Sequence, residues 1–92
     1  MEQSLGIIET LGFATAMEAA DAAVKSANVK VGEWVTVGGG KVNVILRGDI
    51  AAVKAAVEAG VAAASQIGKV EGQTIIPRPS DKLTPLFPIK AK

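Results

Sequence analysis

The sequence predicts an α+β sandwich with the ferredoxin-like order βαββαβ, in which two helices cover one face of a four-stranded antiparallel sheet. Three observations lead to this prediction. Val-rich segments with alternating side chains are typical of strands, and two alanine-rich segments are typical of helices. Three consecutive glycines, at residues 38–40, separate two of the strands. The chain has 92 residues, so we expect residues 1–92 to form one domain.

The first part of the chain predicts a strand followed by a helix. A short apolar run at residues 4–10 is typical of a strand, and Gly12 ends it. Residues 13–27 are expected to be helical, because alanine is the strongest helix former and apolar residues recur there at helical spacing. The residues at that spacing are Met17, Ala20, Val24 and Ala27.

The end of this helix carries two local signals. Asp21 lies four residues before Lys25, which is the favourable order for an ion pair on a helix surface. From the sequence alone, Lys25 is therefore a solvated partner of Asp21. Asn28 follows the last periodic residue and is expected to close the helix in the left-handed conformation.

A β-hairpin is expected next, with the glycines at 38–40 as its turn. Residues 29–37 form the strand before the turn, and residues 41–47 form the strand after it. Side chains on a strand alternate between the two faces of the sheet, so the second strand presents two sets of residues. One set is Val42, Val44 and Leu46, and the other is Lys41, Asn43, Ile45 and Arg47.

A second helix and a fourth strand complete the predicted fold. Asp49 is a suitable N-cap for a helix that runs to about residue 67, and Gly68 ends that helix. Residues 71–76 are expected to form the last strand of the sheet. Because alanines and glycines dominate both helices, the helices are expected to lie close to each other and to the sheet.

Prolines shape the C-terminal part of the chain. Pro77 and Pro79 stop the last strand and lie on either side of Arg78. The long cationic side chain of Arg78 is therefore held on a rigid backbone, which has little conformational freedom left to lose on binding. This rigid presentation suits a contact, although a simple surface turn explains the motif equally well. Ser80 can cap a short helical turn at the start of residues 80–92, which end in a tail.

The composition indicates more apolar surface than one small domain easily buries. Hydrophobic residues make up 49% of the chain but aromatic residues only 3%, so the apolar content is mainly Ala, Val, Ile and Leu. A chain of this length buries roughly 60–65% of its unfolded surface. Excess apolar surface on a small domain favours a subunit interface. We expect the sheet face opposite the helices to lack a cover within the chain and to supply part of this interface.

Composition also excludes several classes of function. The formal net charge is +1 and stacking aromatics are nearly absent, so no nucleic-acid partner is indicated. The chain has no Cys and no His, which disfavours disulfides, zinc or other metal sites, thiolate chemistry and His-based catalysis, and we expect no cofactor. No signal peptide or membrane-length apolar run is visible, so no membrane partner is expected and a cytosolic protein is the default.

The glycine turn allows two interpretations. It is not a phosphate-binding loop, because no Lys-Ser/Thr pair follows it and the next element is a strand rather than a helix. It is either a permissive hairpin turn or a turn that lines an opening, where bulk is excluded and backbone N–H groups face the lumen. The tripeptide Arg47-Gly48-Asp49 is interpreted as a strand-to-helix corner rather than as an adhesion motif.

Two functions of other classes remain open from the residues alone. A dimeric small-molecule sensor or regulatory domain of ferredoxin-like topology would use the glycine turn to bind its ligand. A small acyl-phosphate hydrolase of the same topology is suggested by Asn43 and Arg47 on one strand. Those hydrolases carry the phosphate-binding Arg in a loop, whereas Arg47 lies at a strand end, so the match is weak.

Taken together, these segments resemble the single-domain hexameric shell proteins of bacterial microcompartments, the BMC-H family. The resemblance covers nearly the whole chain and rests on four motifs in order: LGIIETLGF, EAADAAVKSANVKV, VGGGKVNVILRGDIAAVKAAVEAG and IIPRPS. It implies a structural, non-enzymatic protein in the cytoplasm. Six copies would form a flat homohexamer with a central pore for small polar metabolites. These hexamers would tile with other shell hexamers, trimers and pentamers around encapsulated enzymes.

The resemblance also assigns roles to individual residues. Gly38, Gly39 and Gly40 are similar to the pore loop of the family, and Lys41 follows them at the pore mouth. Lys25 is similar to an edge lysine that lies against its symmetry mate across the seam between hexamers. Asn28 matches a neighbouring edge position, and Arg78 matches the Arg of the Pro-Arg-Pro motif that reaches across the same seam.

Three departures from the family pattern alter these expectations. Gly39 stands where the family often has Ser, which removes a hydroxyl from the pore lining and implies a wider constriction. Ser80 replaces the usual His after Pro-Arg-Pro, and Trp34 takes a site usually held by Tyr. The motifs resemble carboxysome shells and catabolic shells about equally, so the sequence leaves the type of compartment open.

Overall fold

The computed structural model describes residues 3–36 and 38–83, and of Glu33 and Trp34 it describes only the backbone. The prediction about the Trp34 side chain and those about Val37 and about residues 84–92 lie outside this part. Six main elements and one short turn follow in the predicted order: β1 (Ser4–Leu11), α1 (Phe13–Ser26), β2 (Lys30–Thr36), β3 (Lys41–Gly48), α2 (Ile50–Ala64), β4 (Val70–Ile76) and a 3₁₀ turn (Asp81–Leu83).

The four strands form one sheet in the order β2-β3-β1-β4, with every neighbouring pair antiparallel. This is the predicted ferredoxin-like arrangement, so the fold class is confirmed. In the central pair Ser4 lies opposite Gly48 and Leu11 lies opposite Lys41. The register of the outer pairs shifts once each, after Glu9 in β1 and between Val31 and Trp34 in β2.

The core lies between the sheet and the two helices. The alternation in β3 is confirmed, because Val42, Val44 and Leu46 are all buried beneath the helices. The helices contribute mainly alanines to this core, with Ala16, Ala19, Ala23, Ala56 and Ala64 fully buried. Small side chains allow α1 and α2 to approach each other and the sheet closely. None of the described helices is long and apolar enough to cross a membrane.

The helix ends differ from the predictions. Asn28 does not adopt the left-handed conformation; α1 ends at Ser26, Ala27 is extended with φ −156°, and the Val29 N–H donates to the Ala27 carbonyl instead. Asp49 occupies the N-cap position of α2, but its side chain makes no capping hydrogen bond.

The end of α2 and the short turn after the last strand largely match the predictions. The helix ends at Ala64 rather than near residue 67, because the chain continues in tighter turns in which the N–H groups of Gln66 and Ile67 bond carbonyls three residues back. The Gly68 N–H still donates to the Ala64 carbonyl. Ser80 caps the short 3₁₀ turn through a 3.2 Å bond from the Lys82 N–H to its hydroxyl.

The expectation of a bare second sheet face is wrong at its centre. Leu5 and Ile45 on that face are only 1% and 2% exposed, and they pack with half-buried Ile7, Val35 and Ile76. Among the described residues, most of the exposed large apolar side chains lie on α1 instead. There Met17 and Val24, which share one helical stripe, are 47% and 43% exposed, because the alanines of α1 occupy the core.

Candidate functional site

The glycine turn has a backbone that strongly favours glycine. Gly38, Gly39 and Gly40 have φ angles of 87°, 62° and 78°, all in the left-handed region that disfavours other residues. Hydrogen bonds fix both sides of the turn, since the Lys41 N–H donates to the Gly38 carbonyl and the Gly12 N–H donates to the Gly40 carbonyl at 2.7 Å. The turn therefore has a defined shape at the end of the β2-β3 hairpin.

The outer side of this turn is open. A Cβ atom placed on Gly38 or on Gly39 would meet nothing within 4 Å, and all three glycines are exposed. The turn thus presents backbone to its surroundings without any side chain. Lys41, at the first position of β3, is the charged residue next to it and is half-buried.

Lys25 lies on the exposed last turn of α1 in the predicted ion pair. Its Nζ atom is 2.8 Å from the Asp21 carboxylate, and both side chains are exposed. The hydrogen bond to Asp21, together with the charge of that carboxylate, raises the pKa of Lys25 above its ordinary value of 10.5. Lys25 is therefore charged at neutral pH, and its charge, and with it the pair, is lost as the pH rises through this raised pKa.

Asn28 and Arg78 come from distant parts of the chain to the same end of the sheet. A Cβ on Gly48, the last residue of β3, would lie 3.1 Å from the Asn28 carbonyl oxygen. Gly48 pairs with Ser4, whose hydroxyl donates to the Pro77 carbonyl at 2.7 Å. An open cleft of about 520 Å³ connects Gly48 to the exposed Arg78.

The predicted residues therefore form two groups at opposite ends of β3. The glycine turn and Lys41 lie at its start, whereas Asn28 and Arg78 gather around its last residue, with Lys25 at the nearby end of α1. Seven steps along a strand span roughly 23 Å. The sequence, through its resemblance to a family, predicted the members of both groups. It did not reveal the Ser4 hydroxyl as the link to Pro77, because nothing local in the sequence marks a bond between residues 73 positions apart.

Arg47 is a buried cation outside the predicted site residues. Arg47 lies at a strand end and, together with Asn43, is the pattern that suggests a small hydrolase. In the structure Arg47 is only 5% exposed, and its Nε and Nη1 atoms have no hydrogen-bond partner in the described part of the chain. The alternation of side chains along β3 could have indicated this position, because it places Arg47 on the sheet face away from the helices. No group of three or more acidic, His or Cys residues suited to a metal occurs in residues 3–36 and 38–83.

Comparison with known proteins agrees with this fold. The chain is 48% identical over 87 residues to the bacterial microcompartment shell protein PduA of Citrobacter freundii, covering 95% of this chain and 94% of that protein. It is 44% identical over 92 residues to the carboxysome shell protein CcmK2 of Synechococcus elongatus, covering 98% and 90%.

A solved structure supports the same assignment. A microcompartment protein from Desulfitobacterium hafniense superposes with a TM-score of 0.79 at 35% identity over 90% of this chain. This chain spans 45% of that longer one. The BMC domain family matches residues 4–79, which include every predicted edge and pore residue. The chain therefore belongs to the BMC domain family and is a structural shell protein of bacterial microcompartments rather than an enzyme.

Proposed function

We propose that six copies of this chain form a closed ring with a central pore, and that such rings tile edge to edge into the facets of a shell. The observation that carries this proposal is the placement of the two residue groups at opposite ends of β3. A wedge-shaped subunit in a ring needs one end at the axis and the other at the perimeter. The glycine turn suits the axis, and Lys25, Asn28 and Arg78 suit the perimeter.

At the axis, six glycine turns would line the pore with backbone. Gly38 and Gly39 have free space beside them, so the opening is set by main chain rather than by side chains. Without the family's usual hydroxyl at position 39, the polar groups left to a passing solute are peptide N–H and C=O. Six copies of Lys41 near the mouth would favour small anions and neutral polar solutes over cations.

At the perimeter, the charge of Lys25 is already balanced when the edges meet. Two lysines against each other across a seam are a like-charge contact, and the Asp21 carboxylate at 2.8 Å offsets that repulsion. Each seam contact needs to be only weak, because every ring makes many of them at once and multivalency stabilises the sheet.

Within the ring, exposed apolar residues supply the burial that holds copies together. Phe13, Met17 and Val24 lie on one stripe of α1 and are all more than two-fifths exposed in the single chain. At roughly 25 cal/mol per Å², an interface of standard size is enough for a permanent ring. We infer further that residues 1–92 form one shell domain in the cytoplasm, whose partners are other shell hexamers, trimers, pentamers and the encapsulated enzymes.

The edge assignment is tested with Lys25→Ala and Arg78→Ala. Each variant is expected to keep the ring, because neither residue contributes to the core, and to lose extended sheets or tubes. Lys54→Ala, which removes an exposed lysine on α2, is the matched control and is expected to assemble normally. Native mass reports the rings, and negative-stain electron microscopy reports the sheets. Dissociated rings in the two edge variants, or sheets of normal extent, would contradict the assignment.

A further inference from the structure

The sheet face away from the helices is buried at its centre, although both helices lie on the other face. Leu5 and Ile45 on this face are 1% and 2% exposed. The described apolar residues that pack against them, Ile7, Val35 and Ile76, stand on the same sheet and are themselves only half-buried. Side chains on one face of a sheet stand side by side, so they cover one another's flanks but not their outer ends. A further part of the chain must therefore lie over Leu5 and Ile45.

This burial is strongest at the end of the sheet where the chain leaves β4. Leu5 lies opposite Ile76, the last residue of β4. Thr74, two residues earlier on the same face of β4, is exposed. Directly after Ile76 the chain is held at this end of the sheet, because the Ser4 hydroxyl donates to the Pro77 carbonyl at 2.7 Å. The buried part of the face therefore adjoins the segment that leads to the C-terminus.

Other parts of the chain outside the described residues are less well placed to cover Leu5. Glu33 and Trp34 belong to β2, and β3 lies between β2 and β1, so their backbone is two strand spacings, roughly 10 Å, from Leu5. Residues 1–2 are too few to turn back over the strand that they precede, since a chain reversal takes about four residues. Position 37 adjoins the glycine turn at the opposite end of the sheet.

The C-terminal segment of residues 84–92 has the length and the composition for this position. Nine extended residues span up to about 30 Å, whereas a sheet of four strands is roughly 15 Å wide. The large apolar side chains of the segment, Leu86, Phe87 and Ile89, come first, and its two lysines are among the last three residues. This order suits a segment whose first part packs on an apolar surface and whose charged end stays in water.

We propose that residues 84–92 fold back over this end of the sheet and form a third layer, in which their large apolar side chains cover Leu5 and Ile45. The docking site is the apolar part of the sheet face opposite the two helices, and its occupant is the C-terminal segment of the same chain. The sheet is then enclosed on both faces without any partner. The inference is independent of the ring, because the burial of Leu5 and Ile45 is already present in the single chain.

The test uses single cysteine reporters, since the chain contains no Cys. Ile45→Cys reports on the covered face, and Val44→Cys, at a fully buried position beneath the helices, is the matched control. The rate at which each reporter reacts with a thiol reagent is measured in the wild-type background and in a variant with Leu86→Ser and Phe87→Ser. In that variant Ile45→Cys is expected to react at least about tenfold faster, because two large apolar side chains no longer hold the segment on the sheet. Val44→Cys is expected to react equally slowly in both backgrounds.

A second change in the same segment controls for substitution as such. Lys90→Ser with Lys92→Ser alters only the charged end, so the reaction rate of Ile45→Cys is expected to stay as in the wild-type background. An Ile45→Cys rate that does not rise with Leu86→Ser and Phe87→Ser would assign the cover to another part of the chain and would overturn the proposal.

A cross-link decides the matter if the variant with both serines fails to fold, so that both reporters react rapidly. In an otherwise wild-type chain, Ile45→Cys and Phe87→Cys are expected to be joined within one chain by a short bifunctional thiol reagent, whereas Val44→Cys and Phe87→Cys are not. Absence of the first link, or a link between two chains in its place, would contradict the docking of the segment on its own sheet. The result is read from the mass of the denatured chain, so it does not depend on which oligomer forms.

Discussion

At the scale of single residues, the distinctive feature of this chain is the turn at residues 38–40, which carries no side chains. All three glycines have left-handed φ angles, and a side chain at Gly38 or Gly39 would point into open space. A non-glycine residue in this conformation costs roughly 1–2 kcal/mol. A Ser at position 39, as in many shell proteins, would therefore gain a hydroxyl at the expense of some strain. If the turn lines a pore as proposed, the nearest charge, on Lys41, would be the main chemical influence on passing solutes.

Lys41→Glu tests that influence directly. If the turn lines a pore, the variant places six negative charges near its mouth, so the flux of a small anion is expected to fall several-fold while that of a neutral solute of similar size stays nearly constant. Shells loaded with a halide-quenched dye would report the anion flux. Lys54→Glu makes the same charge change on α2 and serves as the control. Equal anion flux in Lys41→Glu and wild type would rule out Lys41 as a selectivity residue.

At the scale of elements, the close contact between α1 and α2 depends on small residues. Gly60 lies in α2 where a Cβ would approach the Ala19 carbonyl oxygen of α1 to 2.9 Å and the Ile8 Cδ1 atom of β1 to 2.9 Å. The carbonyl belongs to helix backbone and cannot turn aside as a flexible side chain can. Gly60 thus sets the distance between both helices and the central strand.

Gly60→Ala is expected to destabilise the protein by about 1–2 kcal/mol. Overpacking of this kind costs about 1–3 kcal/mol, and the better helix propensity of alanine returns up to about 1 kcal/mol. Chemical denaturation at a fixed protein concentration measures the change, because the stability of an oligomer varies with concentration. Ala55→Ser, on an exposed position of the same helix, is expected to change stability by less than about 0.5 kcal/mol. Unchanged or increased stability of Gly60→Ala would show that the helices have room to separate.

The elements could be predicted from the sequence because their signals are local. Alternation identified β3, alanine content identified both helices, and the glycines identified the hairpin turn. The errors arose where tertiary structure overrides local preference. Asn28 favours a left-handed cap, but its carbonyl packs next to Gly48 and the preceding Ala27 is extended. Met17 and Val24 share the apolar spacing of the helix, yet small alanines fill the narrow space above the sheet.

At the scale of the whole molecule, the sequence indicated excess apolar surface but not its location. Leu5 and Ile45 proved to be buried, and the exposed apolar side chains include Phe13, Met17 and Val24. Composition cannot distinguish a core residue from an interface residue, because both are apolar. Lys25 and Asn28 could be named as candidate site residues only through resemblance to a family, since they are otherwise ordinary surface residues. Their common position with Arg78 at one end of the sheet depends on long-range pairing.

The central claim is that this shell protein forms six-membered rings, and its native mass tests that claim most directly. The intact protein at moderate salt, measured by native mass spectrometry or light scattering, is expected to have six times the 9.3 kDa mass of the chain. Such a mass would match a closed ring built on the exposed stripe of α1. A monomer or a dimer would contradict the ring and leave the exposed apolar surface without a partner.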